Sequence, residues 1–171
     1  MAGETDRLIN LTKSFCKSPN PIDYDNAISS GENISCALMS VYLNSLKIKS
    51  KSLLSWQIPI NTSIEHMKSR ILNINENKIL KDLSSYDVLL IPGFQGINSK
   101  QEITTLGRGG SDTSAVAVAS SLNAECIIYT DVEGVYTTDP NLVKNAKKIS
   151  QISYEEMLEL ASQGAKVLQT R

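Results

Sequence analysis

A glycine-rich segment with one arginine and one aspartate has the residue types best suited to chemistry. It reads Gly107-Arg108-Gly109-Gly110-Ser111-Asp112-Thr113. Its glycines permit positive φ and close backbone approach to a ligand, and Arg108 offers a planar donor fork for a carboxylate or phosphate. Asp112 adds a negative charge, so the segment suits a zwitterion such as an amino acid. Spacing alone leaves a second interpretation open, in which a glycine turn leads into a helix capped by Ser111 or Asp112.

The apolar run at residues 126–130 predicts a buried strand, and a second segment with polar residues starts where that strand ends. Ligands in open α/β sheets bind at the carboxyl ends of strands, where Thr130 and Asp131 would lie. Tyr136 has a ring and a hydroxyl that suit a nucleotide. The alternative interpretation is a strand-end loop closed by the turn at Asp139-Pro140.

Three shorter motifs carry less information when each is taken alone. Gly93-Phe94-Gln95-Gly96 follows a predicted strand and favours a turn. Gly164-Ala165-Lys166-Val167 favours the end of a helix, although Lys166 is a mobile charge that suits a phosphate. Ser30-Gly31-Glu32 precedes a predicted helix and favours a turn with a cap.

The elements that must position these motifs alternate between helix and strand. Apolar spacing predicts helices at residues 5–15, 32–46, 79–86, 113–122 and 153–162, and strands at 49–54, 70–74, 88–91 and 126–130. The last helix opens with a capping box, Ser153-Tyr154-Glu155-Glu156. The continuous apolar run at 88–91 is typical of a strand buried on both faces. This order predicts an α/β domain with a mostly parallel sheet and helices on both faces.

The bulk composition excludes several classes of protein. The chain has 171 residues and a formal net charge of −1, which suits one domain and disfavours a nucleic-acid surface. Three cysteines and one histidine lack metal-ligand spacing, so no metal site is predicted, and His66 is expected to be a surface or packing residue without a partner. We expect no membrane span and no signal peptide, and therefore a cytoplasmic protein with reduced thiols.

Taken in order, the motifs resemble one family closely. The Asp131–Tyr136 segment resembles the amino acid kinase family, and the Leu106–Asp112 segment narrows the resemblance to aspartokinases. The likeness is close from about residue 88 to residue 171 and looser before residue 75, although Ser30-Gly31-Glu32 also matches. The resemblance implies the three-layer fold of that family and transfer of the γ-phosphoryl group of ATP to the side chain of L-aspartate. This transfer is the first step of lysine, threonine and methionine biosynthesis.

The resemblance also implies roles for individual residues. Glu32, Arg108 and Asp112 are expected to bind aspartate, and Mg²⁺ to accompany ATP. The expected nucleotide-binding residues are Thr130, Asp131, Tyr136, Lys166 and Val167. No histidine base is needed, because the acceptor carboxylate is already a nucleophile.

Two departures from the family shape the remaining expectations. The first strand of aspartokinases, which carries a Lys-x-Gly-Gly-Thr-Ser type motif, has no counterpart here, so the catalytic lysine is unassigned. The second departure is that no ACT regulatory domain is expected, so residues 1–171 should form a partial catalytic domain. The chain is expected to work as a homo-oligomer or with a partner chain that supplies the missing segments. The alternatives are another amino acid kinase, or a non-catalytic remnant that binds nucleotide or an intact subunit.

Overall fold

A computed structural model describes residues 3–107, 109–129, 134–138 and 142–162. The chain divides into two compact units, residues 1–126 and 127–171, and each is described by itself. The helices are α1 (Glu4–Phe15), α2 (Pro21–Ser45), α3 (Glu76–Leu83), α4 (Gly110–Ser121) and α5 (Tyr154–Ser162). The strands are β1 (Ser50–Ser52), β2 (Ile60–Thr62), β3 (Ile71–Ile74), β4 (Val88–Leu90), β5 (Gln95–Ile97) and β6 (Ile103–Thr105).

The strands form two small sheets in the first unit. β1 and β4 pair in parallel, with Ser50 opposite Val88. The other sheet has the order β3-β2-β5-β6, in which the central pair β2–β5 is parallel and the two outer pairs are antiparallel. The α/β class is confirmed, and the described strands make a mixed arrangement in which parallel and antiparallel pairs are equally frequent. The strand predicted as buried on both faces, β4, is half-buried.

Helix α2 is longer than the sequence predicts, and the expected turn at residues 29–31 is wrong. The helix begins at Pro21, where the Asn20 side chain accepts a hydrogen bond from the Ile22 N–H at 2.9 Å. It then continues through Gly31 without a break. A Cβ at Gly31 would lie 3.0 Å from the Glu4 Cγ of α1, so this glycine lets two helices approach closely rather than ending one of them.

The core of the first unit lies between α2 and the turn before β5. Tyr24 and Ile28 of α2 pack against Phe94, and Leu8 and Ile9 of α1 cover them. Helix α2 lies against β1, β4 and β6, while α4 lies against β3 and β5. The two helices that carry Glu32 and Asp112 therefore lie against different strands, and both contact the turn at Phe94.

In the second unit, the predicted capping box is confirmed. The Ser153 N–H donates to Glu156 Oε2 at 2.9 Å, and the Glu156 N–H donates to Ser153 Oγ at 3.2 Å. The strand predicted at residues 126–130 is wrong over its described part, because residues 126–129 join no ladder. Tyr129 is 93% exposed there. Within the described part of the chain, no helix has the length and apolarity to cross a membrane.

Candidate functional site

The glycine-rich loop between β6 and α4 has a backbone shape that requires glycine at two positions. Gly107 has a φ of 84° and Gly109 a φ of 70°, in the left-handed region where a side chain is strained. The Gly110 N–H donates to the Gly107 carbonyl oxygen at 3.2 Å, so the loop closes tightly before the helix. Arg108 lies outside the described residues.

Helix α4 begins directly after this loop and places Asp112 in its first turn. The N-cap is Gly109, and within the described residues no side chain caps the helix, so the expected cap at Ser111 or Asp112 is wrong. The reason is that the helix starts at Gly110, earlier than predicted. Asp112 is half-buried. A carboxylate in the first turn is favoured by the helix dipole, and it is a suitable acceptor for an ammonium group.

The turn at Gly93 and Phe94 packs directly under the start of α4. The Phe94 N–H donates to the buried Ser114 Oγ at 3.0 Å, and Phe94 itself has a φ of 53°. A Cβ at Gly110 would lie 2.9 Å from the Cβ atoms of both Phe94 and Leu106. This turn and the glycine-rich loop, which are separate motifs in the sequence, therefore form one tightly packed structure.

Glu32 is carried by α2, which packs on the same Phe94 turn. Ile28 contacts Phe94 in the core, and Glu32 follows Ile28 by one helical turn, so both lie on the same side of the helix. The Gln95 side chain, which is fully buried, donates from Nε2 to the Ser29 carbonyl oxygen at 3.2 Å. Half-buried Glu32 and half-buried Asp112 are thus mounted on two helices that share one anchor.

A buried carboxylate, Asp25, joins α2 to the strand that leads into the glycine-rich loop. Asp25 is fully buried. Its Oδ2 accepts from the N–H of Thr105 at 3.1 Å and from the N–H of Met67 at 2.9 Å. Its Oδ1 accepts from Thr105 Oγ1 at 2.7 Å. His66 Nδ1 lies 2.9 Å from Oδ2, so the carboxylate has a partner on every side, as burial of a charge requires.

His66 contradicts the expectation that it lacks a partner. Its side chain is 12% exposed and lies between Asp25 and Glu102, with Nε2 3.4 Å from Glu102 Oε2. Hydrogen bonds from Asn98 and, more weakly, from His66 lower the pKa of Glu102. Residues 25, 66 and 102 are far apart in sequence and match no motif, so pattern alone gives no signal for this group.

Burial and a nearby charge also shift the pKa of a cysteine beside Glu32. Burial, followed by the nearby negative charge of Glu32, raises the pKa of the Cys36 thiol to about 11. Cys36 follows Glu32 by one helical turn on α2. Both residues are half-buried on this part of the helix.

Of the expected nucleotide-binding residues, the structure describes one. Tyr136 is half-buried and pairs with Lys148 in an isolated antiparallel bridge. A neighbouring backbone bond, from the Thr137 N–H to the Lys147 carbonyl oxygen at 2.9 Å, extends the same pairing. The remaining expected nucleotide ligands lie outside the described residues: Thr130, Asp131, Lys166 and Val167.

The described residues hold no ready-made cage for a divalent cation. Among them, no group of three or more histidine, cysteine, aspartate or glutamate side chains converges as metal ligands would. Mg²⁺ does not need such a cage, since it is commonly held by nucleotide phosphates and waters with one or two carboxylates.

Comparisons with known proteins agree on one family. The model of the amino acid kinase family matches residues 2–171. An aspartate kinase of Stutzerimonas stutzeri is 48% identical over the whole of this chain, and an aspartokinase of Geobacillus stearothermophilus is 49% identical. The chain spans 42% of the length of each relative.

The fold is similar to that of solved aspartokinases. Escherichia coli aspartokinase III in complex with aspartate and ADP superimposes with a TM-score of 0.79 and 30% sequence identity. The match covers 96% of this chain and 38% of that enzyme.

Proposed function

We propose that this chain, which belongs to the amino acid kinase family, forms part of an aspartate kinase that transfers the γ-phosphoryl group of ATP to the side-chain carboxylate of L-aspartate. The observation that carries the proposal is that the whole length of the chain aligns with an aspartate kinase at 48% identity. The aspartate and ADP bound to the structurally similar Escherichia coli enzyme support the same pair of ligands.

The substrate end of the site is assigned to the first unit. Arg108 would pair with a carboxylate of aspartate through its planar fork. Asp112 and Glu32 would bind the ammonium group, because both are acidic and half-buried. This arrangement holds an amino acid by its two charged groups and leaves its side-chain carboxylate as the acceptor.

The nucleotide end is assigned from the family resemblance. Thr130, Asp131 and Tyr136 would line the nucleotide pocket, with Lys166 and Val167 completing it. Mg²⁺ bound to the phosphates would offset charge as the phosphoryl group moves. The residues of this chain then act mainly by positioning, since a carboxylate acceptor needs no general base and a well-oriented reaction gains several kcal/mol from proximity, about 7–11 in favourable cases.

Two wider features belong to the same proposal. A cytoplasmic location follows from the need for ATP and free aspartate. Assembly with a second copy of the chain or with a partner chain is the other.

A panel of acceptors tests the proposed chemistry. Purified protein with ATP and Mg²⁺ is given aspartate, glutamate, acetylglutamate or UMP, and ADP release is measured for each. We expect aspartate alone to raise ADP release above the rate without acceptor. Release with another acceptor and none with aspartate would assign the chain to a different amino acid kinase. Nucleotide binding without release for any acceptor would indicate a binding protein.

A further inference from the structure

Asp25 is fully buried, and two of its hydrogen-bond partners, Thr105 and Met67, lie next to the glycine-rich loop of the candidate substrate site. Both Thr105 donors belong to the last residue of β6, two residues before Gly107. On its own helix, Asp25 precedes Glu32 by seven residues, which is two turns and the same face. One buried carboxylate therefore touches the strand that feeds the glycine-rich loop and stands on the helix that carries Glu32.

The loop between β2 and β3, which contains Met67, adds a second connection between Asp25 and the glycine-rich loop. Met67 has a φ of 66°, a strained conformation for a residue with a side chain. Its N–H donates to Asp25 Oδ2. Its carbonyl oxygen would lie 3.2 Å from a Cβ at Gly107. The Asp25 carboxylate thus accepts a hydrogen bond from the N–H of the strained Met67, and the Met67 carbonyl oxygen lies beside Gly107, the first glycine of the loop.

His66 and Glu102 form an outer layer around this carboxylate. His66 spans from Asp25 to Glu102, and Asn98 Nδ2 donates to Glu102 Oε2 at 3.0 Å. Glu102 directly precedes β6. The strand is therefore held at its start by Glu102 and at its end by Asp25, which leaves it little freedom to slide along its axis.

We infer that Asp25 is a positioning residue for the amino-acid substrate, setting the distance between Glu32 on α2 and the loop of Arg108 and Asp112. The inference rests on the proposed function for the identity of that substrate. Asp25 does not touch the substrate. It acts through Thr105 and Met67, and a shift of about 1 Å in a positioned group is enough to cost on the order of 100-fold in rate.

The test uses substitutions that keep shape and change hydrogen bonding. Asp25→Asn keeps the size of the side chain and removes its charge, and Thr105→Val removes the hydroxyl donor. Thr105→Ser restores that donor, and Asp23→Asn removes an exposed charge from the same helix as a matched control. Kinetics are measured with aspartate and ATP varied separately, and the melting temperature is recorded for each variant.

We expect Asp25→Asn and Thr105→Val to raise KM for aspartate about tenfold or more, since each displaces groups that the substrate site depends on for its geometry. KM for ATP should stay unchanged. Thr105→Ser and Asp23→Asn should behave like the wild-type protein. A folded Asp25→Asn protein with wild-type KM for aspartate would overturn the inference, as would equal losses toward both substrates.

Amide hydrogen exchange separates this inference from the proposed function. The Met67 and Thr105 N–H groups report on Asp25 without any substrate, and we expect both to exchange about tenfold faster in Asp25→Asn than in Asp23→Asn. If aspartate is not turned over but this acceleration is seen, the proposed substrate is wrong and the positioning network stands. Unchanged exchange at both amides would overturn the network itself.

Discussion

Glu32 and Cys36 lie one turn apart on α2, and their interaction can be measured through the thiol. The pKa of Cys36 is raised to about 11, first by burial and then by Glu32. At pH 8 this thiol is therefore almost fully protonated, and the thiolate is the form that reacts. We expect Cys16 and Cys126, which are exposed, to react with a disulfide reagent at pH 8 much faster than Cys36. The Cys36 rate should keep rising up to about pH 11.

Two variants make the assignment specific. Cys36→Ser should abolish the slow phase, and Glu32→Gln should speed it up, because loss of the negative charge lowers the pKa of the thiol. Asp23→Asn, an exposed change on the same helix, should leave the slow phase as it is. A slow phase that persists in Cys36→Ser would show that another cysteine is protected.

The position of a motif between two elements could be predicted from the sequence, whereas contacts that form only in the fold could not. Asp112 lies near the start of the helix that follows the glycine loop, although that helix begins earlier than predicted. Asp25 and His66 are 41 residues apart and sit in ordinary polar surroundings in the sequence. Their pairing depends on the path of the chain between them, so His66 was wrongly expected to lack a partner.

Among the elements, the junction of the Phe94 turn and α4 has little room for an added side chain. Gly110→Ala would bring a Cβ to within 2.9 Å of both Phe94 and Leu106. We expect this variant to lose about 1–3 kcal/mol of unfolding free energy, typical of overpacking, and to lose aspartate binding with it. Chemical denaturation and aspartate titration measure the two effects.

An exposed position on the same helix serves as the control for that change. Ser120→Ala should alter the unfolding free energy by less than about 0.5 kcal/mol, as surface substitutions usually do. Stability of Gly110→Ala equal to that of Ser120→Ala would contradict the close packing at this junction.

Elements were predicted best where local chemistry alone determines them. The Ser153 and Glu156 capping box is such a case, because its hydrogen bonds join neighbouring residues. The turn expected at Gly31 was wrong because that glycine serves a contact with α1 rather than a break in α2. The strand expected at 126–129 was wrong because a strand needs a neighbour for its backbone hydrogen bonds, and apolar residues alone do not supply one.

At the scale of the whole molecule, the α/β class follows from alternating patterns, but which surfaces become buried does not. Apolar spacing predicts a helix at residues 32–46, and α2 confirms it as far as Ser45, yet Leu38 is 57% exposed and Val41 is 67% exposed. Burial depends on what lies against a face, and that is a property of the assembled chain.

The most direct test of the central claim is to trap the product. Aspartyl phosphate is an acyl phosphate, so hydroxylamine converts it to a hydroxamate that can be measured by colour. The purified protein is incubated with ATP, Mg²⁺, aspartate and hydroxylamine, alongside Arg108→Ala and the control Asp23→Asn. We predict ATP-dependent hydroxamate from the wild-type protein and from Asp23→Asn, and a loss of about 100-fold or more in Arg108→Ala. Folded protein that binds ATP and yields no hydroxamate would contradict the proposal that this chain forms an aspartate kinase.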